Sequence, residues 1–372
     1  MLNKTPIMTN VKYNINDANL KFTLPDKYID FNNIKITSEN IDIISDLRNK
    51  ECLNSVDNTN NINEYNKDLT YGMGEKVFEN TKKYCNHKLL VQTIKNSKLD
   101  IIYDFNNINF NLINSIFIKA THNLDITVMF KMENEESNDI NSSNNNRIRN
   151  FLNALLKIEV SNKAKVNINI INLLNKSSDD LITIEASVKE SSKIIFNVID
   201  LGSLNSLQNI YAKTLDENST VVINSMYMGN NNEFKDLNYI THLIGEKSKV
   251  NIDVIGSLNE NSMKNFKGTI DFKEGCRKSV GKEKEHCILL SKTAISKALP
   301  ILLCHEEDVE GAHSSSSGSI DKDQVYYIMS RGLNKKESIE LLVRGKFNSI
   351  LKVIENEECL SLINKEIDRR LG

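Results

Sequence analysis

The chain has 372 residues, of which 40% are hydrophobic and 26% charged, enough apolar content for a core and too much for a wholly disordered chain. Its 47 Lys plus Arg against 49 Asp plus Glu leave a net charge of −2, which removes the general electrostatic case for nucleic acid, where neutralising phosphates is the main source of affinity. No apolar run approaches the roughly 20 residues that span a bilayer, and Met1–Asn10 holds no apolar signal segment, so a cytoplasmic location is expected.

Residues 1–88 read as a small N-terminal region, polar and partly helical. Ile41–Lys50 has weak helical spacing, and Asp57–Lys67 is an Asn-rich connection with little to bury. A second low-complexity patch, residues 133–149 with an Asn/Ser run at 141–146, reads as a surface insertion. The heavy use of Asn, Ile and Lys is taken as the mark of an AT-rich genome rather than of chemistry.

The middle of the chain alternates apolar residues with a period of two: Val166/Ile168/Ile170, Ile182/Ile184, Ile194/Phe196/Val198, Val221/Ile223, Val250/Ile252/Val254 and Ile270/Phe272. Such alternation predicts short, half-buried strands. The strands also recur at a longer interval. Glu190-Ser-Ser-Lys-Ile194, Glu217-Asn-Ser-Thr-Val221 and Glu246-Lys-Ser-Lys-Val250 are one polar turn written three times, with Lys163-Ala-Lys-Val166 as a fainter copy. The first apolar residues, at 166, 194, 221 and 250, are 28, 27 and 29 residues apart, and a second strand set near 182, 210, 240 and 269 interleaves. Two short strands per repeat imply stacked coils, because one coil cannot hide its inward side chains and stacking does. A parallel β-helix from about Leu89 to Cys304 follows. A β-sandwich of regular hairpins competes, but the Asn-Gly and Asp-Gly turns that hairpins favour are absent from the sequence.

Beyond residue 314 the pattern turns helical. Asp321 reads as an N-cap with Gln324 as its capping-box partner, Val325, Ile328 and Met329 on one face, and Gly332 as the C′ residue. Asn334 to Glu337 opens a second helix with Ile339, Leu342 and Val343 on its apolar side. A third is expected to carry Ile350, Leu351, Ile354, Leu360, Ile363 and Ile367. These helices suit either a cap on the end of the solenoid or a docking surface.

Chemistry-bearing residues are sparse. The cysteines at 52, 85, 276, 287, 304 and 359 form no C-x-x-C pair and read as reduced, mostly structural thiols. His122 and His242 fall in strand-like stretches, and His286 beside Cys287 points to the opposite face of a strand. The densest segment, Pro300 to His313, holds Cys304, His305, Glu306, Glu307, Asp308, Glu310 and His313, all capable of ligating a metal but without a strong motif spacing. The plain reading is an acidic turn. A β-helix carbohydrate hydrolase needs paired carboxylates and sugar-stacking aromatics, yet aromatics are 6% and Trp is absent. No G-x-x-x-x-G-K-[ST] loop occurs, so no Walker A site is encoded.

Phe266-Lys-Gly-Thr-Ile-Asp-Phe272, Gly281, Leu289-Leu-Ser291, Pro300, Glu307-Asp-Val-Glu-Gly-Ala-His313, Gly318-Ser-Ile-Asp321, Tyr326-Tyr327 and Ser330-Arg-Gly332 follow one another in order. Together they resemble the SufB/SufD family of iron–sulfur cluster assembly proteins, and SufD more than SufB. The resemblance implies a mainly β fold, a right-handed parallel β-helix core followed by a C-terminal α-helical domain, which with the residue pattern gives a core over residues 89–314 and helices over 315–372, after the small N-terminal region over 1–88 that the resemblance does not reach. It implies a non-enzymatic scaffold that pairs with a SufB-like protein and docks a SufC-type ABC ATPase through its C-terminal helices, ATP hydrolysis belonging to that partner. A paralogue working as a homodimer with SufC is the alternative. His313 falls on the family histidine of the D-V-x-x-x-H motif and is expected at the partner interface as a transient iron ligand, with Cys304 and Glu310 as possible contributors. The following Ser314-Ser315 departs from the Glu-Ala of SufB and from the Gly common in SufD. Tyr326, Tyr327, Arg331 and Gly332 are expected to begin the ATPase-docking region. No cofactor is expected to be held stably, a nascent cluster lying between partners.

Overall fold

A computed structural model describes residues 2–7, 15–18, 24–54, 72–133 and 149–372. The Asn-rich stretch at 57–67 and nearly all of the insertion at 133–149 lie outside the described residues. In chain order the elements are β1 (Ile34–Arg48), α1 (Lys50–Asn54), α2 (Glu75–Tyr84), β2 (His87–Phe105), β3 (Asn111–Ala120), β4 (Leu124–Met132), β5 (Asn150–Val160), β6 (Lys165–Leu173), β7 (Ser178–Val188) and β8 (Lys193–Asp200). There follow β9 (Asn205–Thr214), β10 (Thr220–Gly229), β11 (Phe234–Leu243), β12 (Lys249–Leu258), β13 (Met263–Phe272), β14 (Ser279–Leu289), β15 (Ile295–Cys304) and β16 (Val309–Ser319), then α3 (Lys322–Met329), α4 (Lys335–Leu351) and α5 (Glu357–Leu371).

The strands wind into a parallel β-solenoid. Odd-numbered strands from β3 to β15 stack as one wall and even-numbered strands from β4 to β16 as the other. The long β2 joins them, pairing with β3 through His87–Gln92 and with β4 through Ser97–Phe105. Each strand pairs with its equivalent one coil away without slippage, for example Val221 with Ile194 and Val250. The inward residues of both walls form one continuous apolar core from Leu89 to Cys287.

The repeated polar turn has a physical cause. Ser191, Asn218 and Lys247 adopt positive φ of 55, 59 and 54°, and the serine after each is buried. Ser219 Oγ donates to the Asp216 carbonyl at 2.6 Å, and Ser262 Oγ to the Asn259 carbonyl at 2.7 Å in the equivalent turn of the other wall. A small buried hydroxyl thus finds a carbonyl acceptor within the sharp turn itself. Asparagine also contributes chemistry: on the outer face Asn224 donates to Asn197 at 2.9 Å and Asn197 to Asn169 at 3.0 Å, an amide ladder that stacking of equal coils makes possible.

Four local expectations are corrected. Ile41–Lys50 is mostly strand: β1 runs antiparallel along β2 and covers the first coil, with register shifts between Glu39 and Ile41 and between Ile43 and Ser45. Those bulges break the period of two and mimic helical spacing. His122 lies in the turn between β3 and β4. In α3 the Asp321 carboxylate accepts from the Asp323 N–H, and the C-cap is Ser330, which places Gly332 (φ 104°) one position beyond C′. The third helical stretch is divided: Ile350 and Leu351 end α4, and Leu360, Ile363 and Ile367 belong to α5.

The C-terminal helices do not cap the end of the solenoid. Val343, Phe347 and Ile350 of α4 and Cys359, Ile363 and Ile367 of α5 pack along the outer face of the even wall, against Met129, Ile171, Ile199, Met226, Ile255 and Ile288. A buried ion pair fastens α5 there, with Arg370 Nη1 2.8 Å from Glu233 Oε2. The N-terminal segment covers the odd wall: Asn3 donates to Asp236 Oδ1 at 2.6 Å, and the Lys267 ammonium bonds both the Asn3 carbonyl and Asp236. The last coil, β15 and β16, therefore remains uncovered.

Candidate functional site

The interior changes character toward that last coil. One inward row of the even wall runs Ile168, Phe196, Ile223, Ile252, then Glu283 and His313. The next runs Val198, Ser225, Val254, Glu285 and Ser315. Because parallel in-register strands place equivalent side chains about 4.8 Å apart, each of the two inward glutamates on β14 has an apolar neighbour behind it and a polar neighbour on β16 in front.

Glu285 is fully enclosed and bonded. It accepts from Lys264 Nζ of the opposite wall at 2.7 Å, from Ser315 Oγ at 2.7 Å and from the Tyr227 hydroxyl at 3.4 Å. Glu285 and Lys264 side chains have no solvent exposure. Burial pushes the Tyr227 phenol and the Cys287 thiol up.

Glu283 is different. It is 3% exposed, and among the described residues it is the one buried carboxylate with neither oxygen hydrogen-bonded. Burial, and then the charge of Glu285, push its carboxyl up from 4.5 to about 8. Gly268 faces it from the odd wall, where any Cβ would overlap the carboxylate, so only glycine leaves the acid room.

His313 sits on β16 in register with Glu283 and is exposed. Its imidazole belongs to the inward column, uncovered because no coil follows. Cys304 ends β15 in register with the inward Phe272 and is the one exposed cysteine of the six. Glu310, three residues before His313, is in register with Val280 and lies on the opposite face of the strand. Among the described residues no three His, Cys, Asp or Glu side chains converge in a metal-holding group, so His313, Cys304 and Glu310 do not form one here. His305 is 3.6 Å and His242 3.5 Å from the Asp271 carboxylate, a separate polar cluster on the outer face of the odd wall.

The Tyr326–Gly332 residues lie on α3 and the turn after it. Tyr326 and Tyr327 are 75% and 59% exposed and Met329 is 40% exposed, while Val325 is the one residue of α3 that is buried. Arg331 stacks its guanidinium 5.0 Å from the Tyr327 ring and donates to the hydroxyl at 2.8 Å.

Lys264, Glu283 and Glu285 were not apparent from the sequence alone. The run Lys282-Glu-Lys-Glu285 reads as a solvated surface, and only its register against Ile252 and Val254 reveals that the glutamates face inward.

Residues 106–346 match the family model described as the SufBD core domain of SUF-system FeS cluster assembly. The chain is 29% identical over 136 residues to the iron–sulfur cluster assembly protein SufD of Bacillus subtilis, covering 36% of this chain and 31% of that protein. It is 26% identical over 157 residues to SufD of Escherichia coli (42% and 37%) and 27% identical over 173 residues to a SufBD family protein of Pyrococcus horikoshii (46% and 38%). The matched segments span about a third of the length of these curated relatives.

Proposed function

The chain belongs to the SufBD core family of iron–sulfur cluster assembly proteins, and we propose that it is a SufD-like, non-enzymatic scaffold subunit that pairs with a SufB-type β-helix and docks a SufC-type ATPase. The observation that carries this reading is the uncovered last coil. β15 and β16 each have one paired edge and one open edge, and an open edge invites another chain to add strands. A second β-solenoid meeting this end would cover both walls at once.

His313 stands at the centre of that end. Iron is cargo in this reading, and an exposed imidazole is a suitable donor for it. One imidazole does not hold a cluster, so the remaining ligands come from the facing subunit. Two residues along, Glu285 is held fixed behind Ser315 by Lys264, Tyr227 and Ser315 itself, giving β16 a rigid floor. Docking of the ATPase is assigned to α3 and the turn after it, where Tyr326, Tyr327, Met329 and Arg331 form an aromatic and cationic patch of the kind that anchors interfaces.

Anaerobic co-expression with SufB and SufC homologues, purified through a tag on this chain, tests the reading. Wild type should retain both partners and develop cluster absorbance. Tyr326→Ala/Tyr327→Ala should lose the ATPase alone, and His313→Ala should keep both partners but lose the cluster. Failure to retain any partner would overturn the scaffold role. Retention of the ATPase by a dimer of this chain, without SufB, would replace it with the homodimer.

A further inference from the structure

Two of the six cysteines lie together at the opposite end of the solenoid from His313. Cys52 is on α1, four residues after β1 ends, and Cys85 caps the C-terminus of α2, two residues before β2 begins. The antiparallel pairing of Arg48 with His87 brings these chain ends side by side, and each thiol lies close enough to act on the ionisation of the other. Each thiol also donates to a backbone carbonyl: Cys52 Sγ to Leu47 at 3.1 Å and Cys85 Sγ to His87 at 3.3 Å. Lys88 Nζ donates to the Cys52 carbonyl at 2.8 Å, which holds an ammonium beside the pair.

The surroundings divide the labour between them. The neighbouring Cys85 side chain, supported by Lys88 against the opposing effect of burial, pulls the Cys52 thiol down, whereas burial pushes Cys85 well up. Burial pushes Cys276, Cys287 and Cys359 up as well. A thiolate-prone cysteine beside a protonated one is the arrangement of an attacking and a resolving thiol. Both residues are 1% exposed, but Cys52 lies on a helix of five residues whose Lys50 and Glu51 are exposed. A helix this short has little stability of its own, so opening one turn uncovers the thiol.

We propose that Cys52 and Cys85 are a peroxide-oxidisable dithiol that closes to a disulfide and staples the capping strand β1 to β2. The Cys52 thiolate attacks one peroxide oxygen, forming an S–O bond as the O–O bond breaks and hydroxide leaves to become water. The Cys85 sulfur then attacks the sulfenic sulfur, and its proton leaves with the hydroxyl as a second water. The two sulfurs are together oxidised by two electrons and the peroxide is reduced by two.

The test uses the full chain, reduced under anaerobic conditions, treated with hydrogen peroxide, alkylated and mapped by mass spectrometry without reduction. The expected product is a cross-linked peptide joining Cys52 and Cys85 that appears before any other cysteine oxidises. In Cys85→Ser, a dimedone adduct should accumulate on Cys52, and in Cys52→Ser the oxidation rate at Cys85 should fall about tenfold or more, because the thiolate rather than the thiol is the nucleophile. The wild-type map needs no variant to fold. Oxidation confined to Cys304, or a cross-link that excludes Cys52 and Cys85, would overturn the proposal.

Discussion

Replacing Glu283 by Gln tests how the end of the solenoid is built. Gln has the shape of the protonated acid and no charge at any pH. Below 4.5 the wild-type carboxyl is protonated in both the folded and the unfolded chain, so ionisation has no effect on stability. Between 4.5 and about 8 the unfolded chain releases the proton and the folded one keeps it, so stability falls as pH rises, by about 1.4 kcal/mol per pH unit. Above about 8 both states are ionised and the full cost is in place. From 4.5 to about 8 that cost accumulates to about 5 kcal/mol. Urea unfolding midpoints measured from pH 5 to pH 9 should therefore nearly coincide at the acid end and diverge at the alkaline end, with Glu283→Gln the more stable. Because each coil contacts only its neighbours, hydrogen exchange of the β14 amides should show the same divergence locally. Parallel midpoint curves for the two proteins would refute the reasoning, since they would mean that Glu283 titrates alike in both states.

Three further outcomes follow from buried contacts. Lys264→Met leaves the Glu285 carboxylate enclosed without its cation and should cost about 3–5 kcal/mol in chemical denaturation, most of it recovered in Lys264→Met/Glu285→Leu; a loss below about 1 kcal/mol would contradict the burial of the pair. Arg370→Ala leaves Glu233 and Glu366 facing each other without their shared guanidinium, so α5 should loosen from the even wall and limited proteolysis should release the C-terminal helices; unchanged protection would refute the clamp. Gly245→Ala places a Cβ against the Asp216 backbone, which cannot swing aside, and should lower stability by about 1–3 kcal/mol; a neutral result in a denaturant titration would refute the close approach.

Much of the core was legible because its cause is local. The valines and isoleucines at 166, 194, 221 and 250 repeat since each starts the same strand after the same turn, and the structure pairs all four in one column. The serine of that turn repeats because its buried hydroxyl always has a turn carbonyl in reach, Glu190 for Ser192 and Asp216 for both Ser219 and Ser248. β1 was misread since two bulges scramble its alternation, and no residue within it announces the partner β2. The placement of the helices had a fainter signal: Met226 and Met228 are apolar at the outward end of β10 beside the inward Tyr227, and a strand apolar on both faces calls for a cover on its outer side. His313 stood out in the sequence only as one of the possible ligands crowded between Pro300 and His313, and its interface role came from the family resemblance, since no spacing marks it.

The sequence by itself determined the coil: strand length, turn position and the repeat that stacks one coil on the next, all set by side chains interacting within about one repeat. Tertiary structure decided what each coil meets. Glu283 and Glu285 become interior because β13 and β16 close around them, while Lys282 and Lys284 stay exposed, and Glu283 keeps its proton because Gly268 and the apolar coil behind it offer neither a cation nor a hydrogen bond. The partners of buried charges are distant in the chain, Lys264 and Ser315 for Glu285 and Asn3 for Lys267. Local pattern carries no record of those neighbours, since desolvation acts through space and not along the chain.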